Sequence, residues 1–153
     1  MANTYTQLYY HIVFAVKGRG ILISVQWKDE LYKFINCIIT NNNQKLIIIN
    51  GVPDHVHLLL GLKPDIKLSD IIRDIKSNST RFINERNFVK GKFEWQIGFG
   101  AFTIGTTQLD GVINYIKNQE IHHRKKSFRE EYIEFLEDSN IEYKSDYIFE
   151  EFN

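Results

Sequence analysis

Cysteine, proline and long apolar runs are scarce in this sequence. The 153 residues include one cysteine, Cys37, and two prolines, so an intramolecular disulfide is excluded and a reducing compartment fits. No run of about 18 uncharged apolar residues is present, so no membrane-spanning helix is predicted. The N-terminus lacks a basic stretch followed by an apolar segment and a small-residue cleavage site. We therefore expect a soluble, cytoplasmic protein with no membrane partner.

An excess of charge of one sign is also absent. Nineteen Lys and Arg balance nineteen Asp and Glu, which on its own argues against a nucleic-acid partner. The distribution is uneven, because residues 130–153 hold nine acidic side chains and one basic, leaving 18 basic and 10 acidic in residues 1–129. A basic body suits a phosphate backbone, although an unevenly charged solvated surface explains the same pattern equally well.

The length and composition predict one compact domain. A chain of 153 residues that is 43% hydrophobic and 14% aromatic has ample material for one core. We expect residues 1–129 to form this domain and residues 130–153 to form an acidic C-terminal tail. The tail is expected to pack on the same domain, with a helix over residues 129–137, or to cover a partner.

The first half of the chain predicts strand, helix, strand, strand. Residues 9–16 alternate as a strand, with Ile12 and Phe14 on one face and His11 on the other. Ser24 is expected to cap a helix that runs to about residue 40. Residues 45–50 and 55–60 read as two strands of a hairpin, joined by a turn that contains Pro53 and Asp54.

The second half predicts helix, strand, helix. A helix begins near Ser69 with apolar residues on one side, and residues 99–104 form a strand. Thr107 and Asp110 resemble a capping box, which places a third helix from about residue 108 to residue 125. This order is that of a ferredoxin-like α+β domain with a split βαβ unit. We expect an antiparallel sheet with helices on one face and the other face free for function.

Two histidines share a predicted strand. His55 and His57 are separated by Val56, so the period of two places both imidazoles on the same face of the sheet. Paired neutral imidazoles are good ligands for a divalent cation. A lone His-x-His is weak, and from composition alone a structural role is the stronger reading.

A tyrosine and a glutamine share the predicted third helix. Tyr115 and Gln119 lie four residues apart, so they are neighbours on one strip of that helix, and His122 continues the strip. Taken alone, a helical tyrosine is more often a packing residue with its hydroxyl at the boundary of the core.

The combination of these motifs resembles a known family, the single-tyrosine HUH transposases of bacterial insertion sequences of the 200/605 type. HUH stands for His, hydrophobic, His. PDHVH followed about sixty residues later by YIKNQ is the specific part of the resemblance. Nearly the whole chain takes part, through YTQLYYHIVFAVKGR, INGVPDHVHLLLGLKP, LSDIIRDIKSNSTRFINE, GKFEWQIGFGAFTIG and VINYIKNQEIHHRKKSFREEY.

The resemblance implies a site and a reaction. His55 and His57 correspond to the metal-binding pair, Tyr115 to the nucleophile and Gln119 to the residue that completes the metal site. The family's reaction is metal-dependent cleavage and strand transfer of single-stranded DNA through a covalent 5′-phosphotyrosine. It implies Mg²⁺ or Mn²⁺ and no organic cofactor. The base for Tyr115 is not identified, and Asp54 is either a turn residue or a group that orients a histidine.

The resemblance also implies partners. We expect hairpin ends of single-stranded DNA and a homodimer whose Tyr115 helix serves the site of the other subunit. Trp95 and Phe99 are either core residues, the stronger expectation, or surfaces for unpaired bases. Local charge suggests DNA contacts at Arg73, Lys76, Arg81, Lys90, Lys92, His122, His123, Arg124, Lys125 and Lys126.

Other functions remain open. The chain is alternatively a domesticated relative that binds hairpins without cutting them, or another HUH endonuclease such as a replication initiator or relaxase. Those last proteins are generally larger and often have a third histidine or a second tyrosine. An unrelated ferredoxin-like metal protein is a further alternative.

Overall fold

A computed structural model of the chain describes residues 3–18, 22–123 and 126–149. Within these residues the strands are β1 (Leu8–Ala15), β2 (Lys45–Val52), β3 (His55–Leu62) and β4 (Gly100–Ile104). The helices are α1 (Lys28–Asn41), α2 (Leu68–Glu85), α3 (Leu109–Lys117), α4 (Gln119–His123) and α5 (Phe128–Asp138). None of the described helices has the length and hydropathy to cross a bilayer.

The four strands form one antiparallel sheet in the order β2-β3-β1-β4. β3 is inserted between β1 and β2 and is antiparallel to both, which defines the split βαβ unit. β4 pairs with the other side of β1. The predicted ferredoxin-like α+β fold and the predicted β2–β3 hairpin are confirmed.

One face of the sheet, here called the apolar face, is covered by α1 and α2. It carries Ile12 and Phe14 of β1 and Leu58 and Leu60 of β3, all fully buried. Removing each such side chain from water contributes about 2 kcal/mol, and alternation along the strands places these residues on one side. The helices contribute Leu31, Ile35, Ile39, Ile71, Ile72, Ile75 and Ile83.

The opposite face, here called the histidine face, carries His11, Val13, His55 and His57. It is not free, and the expectation of helices on one side only is corrected here. α3 reaches this face, because the Asn50 side chain of β2 donates hydrogen bonds to the last carbonyls of that helix. α5 also covers this face through ring contacts with the histidines.

The two strands of the hairpin approach each other closely at Gly51. A Cβ atom added there would lie 2.2 Å from the backbone oxygen of His55 and 3.0 Å from the Cα atom of Val56. Only glycine leaves room for this pairing. Gly51 therefore fixes the distance between β2 and the strand that carries both histidines.

Two helix boundaries differ from the prediction. Ser24 is not the cap of α1; its hydroxyl accepts from the Gln26 backbone in the preceding turn, and the helix begins at Lys28. Thr107 and Asp110 form no capping box, because Gln108 instead accepts from the Gly105 backbone N–H. A 3₁₀ turn over Thr106–Gln108 therefore precedes α3.

The predicted third helix is interrupted. α3 ends at Lys117, and Asn118, with φ −101° and ψ 27°, separates it from α4. The Asn50 amide donates to the carbonyls of Ile116 and Lys117, at 3.0 and 3.1 Å, which occupies acceptors at the helix end. As a result, Tyr115 and Gln119 belong to two successive helices.

Candidate metal and tyrosine site

His55 and His57 meet a carboxylate on the histidine face. Both imidazoles are fully buried, and their ring centroids lie 5.1 Å apart. The Nε2 atom of His57 lies 3.1 Å from Oε1 of Glu131, and the Nε2 atom of His55 lies 3.5 Å from the same oxygen. Because strand alternation sends the two rings to one side, a single acceptor reaches both.

Glu131 belongs to α5 and is 3% exposed. α5 begins at Phe128, because the hydroxyl of the preceding Ser127 caps the first turn by accepting from the Glu130 backbone N–H. The other carboxylate oxygen of Glu131, Oε2, accepts a hydrogen bond from the Tyr115 hydroxyl. Glu131 thus joins the histidines to the tyrosine. It was absent from the predicted site, because it reads as one of many acidic residues in the tail.

These three side chains fit a divalent cation. One ligand atom from each of His55, His57 and Glu131 lies within 4.8 Å of the others. Imidazole nitrogens and carboxylate oxygens bind such ions at about 2.1 Å, so a small contraction would bring all three onto one ion. Two imidazoles with one carboxylate form a donor set of the type that first-row divalent metals accept.

Two carboxylates lie beside His55 and affect its affinity for protons and cations. Burial lowers the pKa of His55, but hydrogen bonds to the carboxylates of Asp54 and Glu131 outweigh burial and hold its pKa above the ordinary value. Its Nδ1 atom lies 2.6 Å from Oδ1 of Asp54, and Phe128 stacks on the ring with centroids 3.9 Å apart. A cation bound through Nε2 would have to displace the proton on that atom, and the negative charge of Asp54 and Glu131 would then stabilise the cation.

A third histidine, His11, lies beside the pair. Its Nε2 atom is 2.8 Å from Nδ1 of His57, in a buried contact. Burial and the neighbouring His57 lower the pKa of His11 to about 3. His11 was not among the predicted site residues. The alternation of β1 could have placed it on this face, but the register that brings it to His57 could not be read from the sequence.

Tyr115 presents its ring edge to the histidines. The ring is half-buried, with its centroid 5.9 Å from that of His57 and 6.3 Å from that of His11. Burial raises the pKa of the Tyr115 hydroxyl above its ordinary value, and the bond to the Glu131 carboxylate raises it further. The hydroxyl is therefore protonated at neutral pH and serves as a hydrogen-bond donor.

Gln119 is fully buried at the start of α4. Its Nε2 atom donates to the Tyr115 carbonyl at 3.3 Å. Its Oε1 atom is buried with no hydrogen-bond partner among the described residues. A buried amide oxygen without a partner is costly, and a cation or a bound substrate group could satisfy it.

The predicted DNA contacts on α2 lie on the other side of the sheet. The Lys76 ammonium sits over the Phe14 ring and donates to the carbonyls of Gln96 and Gly98, so it is already engaged. Arg73 is exposed and pairs with Asp70. Both side chains line a groove of about 680 Å³ that also includes Trp95 and Phe99.

Other predicted contacts are scattered. Arg81, Lys90 and Lys92 are exposed, and Lys92 pairs with Glu94 at 3.4 Å. The Lys126 ammonium bonds to Glu134 of α5. Arg124 and Lys125, and the side chains of His122 and His123, lie outside the described residues. Among the described residues, Lys126 is thus the predicted contact that bonds to a helix covering the histidine face.

The aromatic residues of the groove differ from each other. Trp95 is buried, meets Phe14 and Phe93 edge to face, and donates to the Ser79 hydroxyl at 2.9 Å. It is a core residue, which was the stronger expectation. Phe99 is partly buried and packs against the same core.

Comparison with known proteins places this fold and sequence among transposases. The chain is 26% identical over 118 residues to the ISDra2 transposase TnpA of Deinococcus radiodurans, covering 74% of this chain and 84% of that protein. It is 25% identical over 124 residues to the transposase for insertion sequence element IS200 of Salmonella typhimurium, covering 78% and 81%.

Solved structures agree. A crystal structure described as that of a transposase candidate from Deinococcus radiodurans R1 matches with a TM-score of 0.63 at 27% identity, over 78% of this chain and 95% of the other. The fold also matches a REP-associated tyrosine transposase bound to a REP hairpin, with a TM-score of 0.62 at 17% identity, over 80% and 73%. The family model "Transposase IS200 like" matches residues 4–119. The chain therefore belongs to the IS200-like transposase family.

The family match ends at Gln119, before α5 begins. It includes the two histidines of β3 and Tyr115 of α3. Glu131 and the rings of α5 that touch the histidines come from the part of the chain beyond it.

Proposed function

We propose that this chain is the transposase of a small bacterial insertion sequence and that it cuts single-stranded DNA with Tyr115 as nucleophile. One observation carries the proposal. The Tyr115 hydroxyl and the Nε2 atoms of His55 and His57 all meet the carboxylate of Glu131. The proposed nucleophile and the two proposed imidazole ligands therefore contact the same carboxylate. The protein that holds them belongs to the IS200-like family.

In the proposed step, the Tyr115 oxygen attacks the phosphorus of a phosphodiester. A bond from that oxygen to phosphorus forms while the bond from phosphorus to the 3′-oxygen breaks. The 5′ side stays attached as a phosphotyrosine, and the other side leaves with a 3′-hydroxyl after its oxygen takes up a proton. Strand transfer is the reverse reaction with a different 3′ end, so no ATP is needed.

The Tyr115 proton has a nearby acceptor. Because burial and Glu131 keep the pKa of Tyr115 above its ordinary value, the hydroxyl must lose its proton during the attack. Oε2 of Glu131 already accepts the hydrogen bond from this hydroxyl. We assign the role of proton acceptor to that carboxylate.

His55, His57 and Glu131 would hold the metal, with the Gln119 amide as the further ligand expected from the family. When bound, the cation would polarise a nonbridging oxygen of the scissile phosphate and offset the charge that develops there. A donor set with two imidazoles suits Mn²⁺ at least as well as Mg²⁺. No organic cofactor is part of the proposal.

DNA must gain access to a buried site. The imidazoles have no exposed surface, and Phe128 of α5 stacks directly on His55. We propose that the first turn of α5 opens when DNA binds, so that Phe128 leaves the His55 ring while Glu131 stays beside the histidines. A homodimer in which α3 serves the site of the other subunit would also require α3 and α5 to rearrange.

A DNA hairpin is the proposed partner. A transposase with the same fold was solved with a REP hairpin, and the body of this chain carries the excess of basic residues. Arg73, Arg81, Lys90 and Lys92 are exposed and remain the proposed phosphate contacts among the described residues. Each alanine substitution at these positions should weaken hairpin binding and reduce its salt dependence.

The deciding experiment compares Tyr115→Phe with the wild type. Wild-type protein with Mn²⁺ should form a covalent adduct on single strands that carry the ends of its element, detected as a shifted band after denaturation. Tyr115→Phe should form no adduct yet bind the hairpin within about threefold of wild type, because the ring contacts remain. Hydrogen exchange of this inactive variant with hairpin present should show faster exchange in the first turn of α5.

The matched control is Tyr147→Phe, since Tyr147 is 84% exposed and lies away from the histidines. That variant should form the adduct at the wild-type rate. An adduct on Tyr115→Phe, or none on the wild type, would refute the nucleophile. Normal hairpin binding without any adduct would favour the alternative of a domesticated hairpin-binding protein.

A further inference from the structure

His57 has partners on both ring nitrogens. Its Nε2 atom faces Glu131 at 3.1 Å, and its Nδ1 atom faces Nε2 of His11 at 2.8 Å. Both histidines are buried, with 3% of His11 and none of His57 exposed. Water therefore does not compete for the contact between the two imidazoles.

The position of His11 is fixed by packing as well as by β1. Phe135 of α5 meets its ring edge to face at 5.2 Å between centroids, and Phe102 of β4 lies at 6.2 Å. The pairing of β1 with β3 sets Val13 opposite His57 and His11 opposite Leu59. His11 is thus the diagonal neighbour of His57, within reach across the face of the sheet.

A neutral imidazole carries one N–H and one lone pair. If Nε2 of His57 is to give its lone pair to a metal, Nδ1 must carry the proton and needs an acceptor. The structure places Nε2 of His11 against Nδ1 of His57, at 2.8 Å. His11 would then accept through Nε2 and carry its own proton on Nδ1.

His55 has a matching arrangement. Its Nδ1 atom lies 2.6 Å from the Asp54 carboxylate, while its Nε2 atom faces Glu131. In each histidine of the pair, Nε2 therefore faces Glu131, and Nδ1 faces a different partner. For His55 that partner is the turn residue Asp54, and for His57 it is another imidazole.

We propose that His11 is a positioning residue that holds His57 in the tautomer and orientation required for metal binding through Nε2. The inference rests on the proposed metal site. His11 would not touch the metal or the DNA, and its effect would pass entirely through Nδ1 of His57.

The test compares two substitutions in the full chain, without DNA. His11→Phe keeps a ring but removes the acceptor, and it should raise the Kd for Mn²⁺ about 10- to 100-fold. His11→Gln places an amide near the position of the lost Nε2 atom and should remain within about threefold of wild type. Phe102→Leu loosens packing around His11 but keeps the hydrogen bond, so it should also remain within threefold.

A second readout separates positioning from chemistry. At saturating Mn²⁺, His11→Phe should recover most of the wild-type rate of adduct formation, because its defect lies in metal affinity. Equal Mn²⁺ affinity in wild type and His11→Phe would overturn the inference while leaving the proposed function intact. Equal loss in His11→Phe and His11→Gln would also overturn it, since acceptor capacity would not matter.

A spectroscopic test needs no substitution at His11. In protein loaded with Zn²⁺ as a diamagnetic probe, nitrogen-proton correlation spectra should show His57 protonated on Nδ1, with the signal assigned by its loss in His57→Gln. Protonation of His57 on Nε2 in the Zn²⁺-loaded protein would overturn the role of His11, whereas no Zn²⁺ binding would refute the proposed metal site. Zn²⁺ binding with the expected tautomer but no DNA adduct would instead refute the proposed function.

Discussion

The two faces of the sheet are both buried, but they are built from different chemistry. The apolar face packs Phe14 and Leu58 against α1 and α2, with side chains that are almost entirely hydrocarbon. On the histidine face, His11 contacts His57, and His57 contacts Glu131 of the covering helix α5. Burial stabilises the first set, whereas it penalises polar and charged groups in the second unless they are paired.

This difference separates stability from function. The hydrocarbon contacts of the apolar face require no particular protonation state, so they hold the fold over a wide range of pH. The polar contacts of the histidine face depend on protons and on any bound cation. A chain with such a division can alter the environment of its buried polar groups without unfolding.

Glu131→Gln should give the largest effect, because it removes the charge that joins all parts of the histidine face. We expect weaker Mn²⁺ binding and a fall of about 100-fold in the rate of adduct formation, as for loss of a general base. Quench-flow or gel assays of the adduct and titration with Mn²⁺ measure the two effects.

Glu137→Gln is the matched control on the same helix, since Glu137 is exposed and accepts a hydrogen bond from the Tyr143 hydroxyl. It should leave both quantities unchanged. A faster adduct in Glu131→Gln would contradict the assigned role. It would show instead that the carboxylate occupies the place of the phosphate.

Leu58→Ala tests the apolar face. Leu58 is fully buried, so we expect the free energy of unfolding to fall by about 3 kcal/mol from lost transfer energy and an added cavity. Urea denaturation measures that change. The Kd for Mn²⁺ should stay within about twofold while the protein is folded, and a large loss of metal affinity would show that the two faces are not separable.

The smallest predicted effect is a pH dependence that arises from Tyr115. Its pKa is raised in the folded chain by burial and by Glu131, so the stabilisation is complete below the unfolded value near 10 and is lost as pH rises above it. The wild type should lose at most about 1 kcal/mol per pH unit more than Tyr115→Phe above pH 10. Urea unfolding at pH 8 and pH 11 measures the difference, and parallel losses in both proteins would contradict it.

Local patterns were sufficient to predict most of the fold. The alternation in β1 and β3 and the turn at Pro53 and Asp54 predict the strands and the hairpin, and the order of elements predicts the split βαβ unit. The break at Asn118 was missed, because no proline or glycine marks it, and the contacts of Asn50 with the end of α3 come from 66 and 67 residues away.

The site was predictable only where its residues are close in sequence. Side chains alternate between the two faces of a strand, so the sequence His55-Val56-His57 alone predicts that both histidines lie on one face. Glu131 bonds to His57 from 74 residues away, and His11 does so from 46 residues away. Those contacts depend on strand register and on how α5 packs against the sheet. Neither can be predicted from the residues adjacent in sequence.

Gly51 gives the fold a point of vulnerability that no inventory of ligands would reveal. Its neighbour across the hairpin is the backbone of His55 itself, so any larger residue would push on the strand from which the rings of His55 and His57 project. In a library of random variants, position 51 should behave like a residue of the reaction centre although it has no side chain to offer. If the proposed function holds, selection for transposition would constrain a position that has no side chain in the reaction.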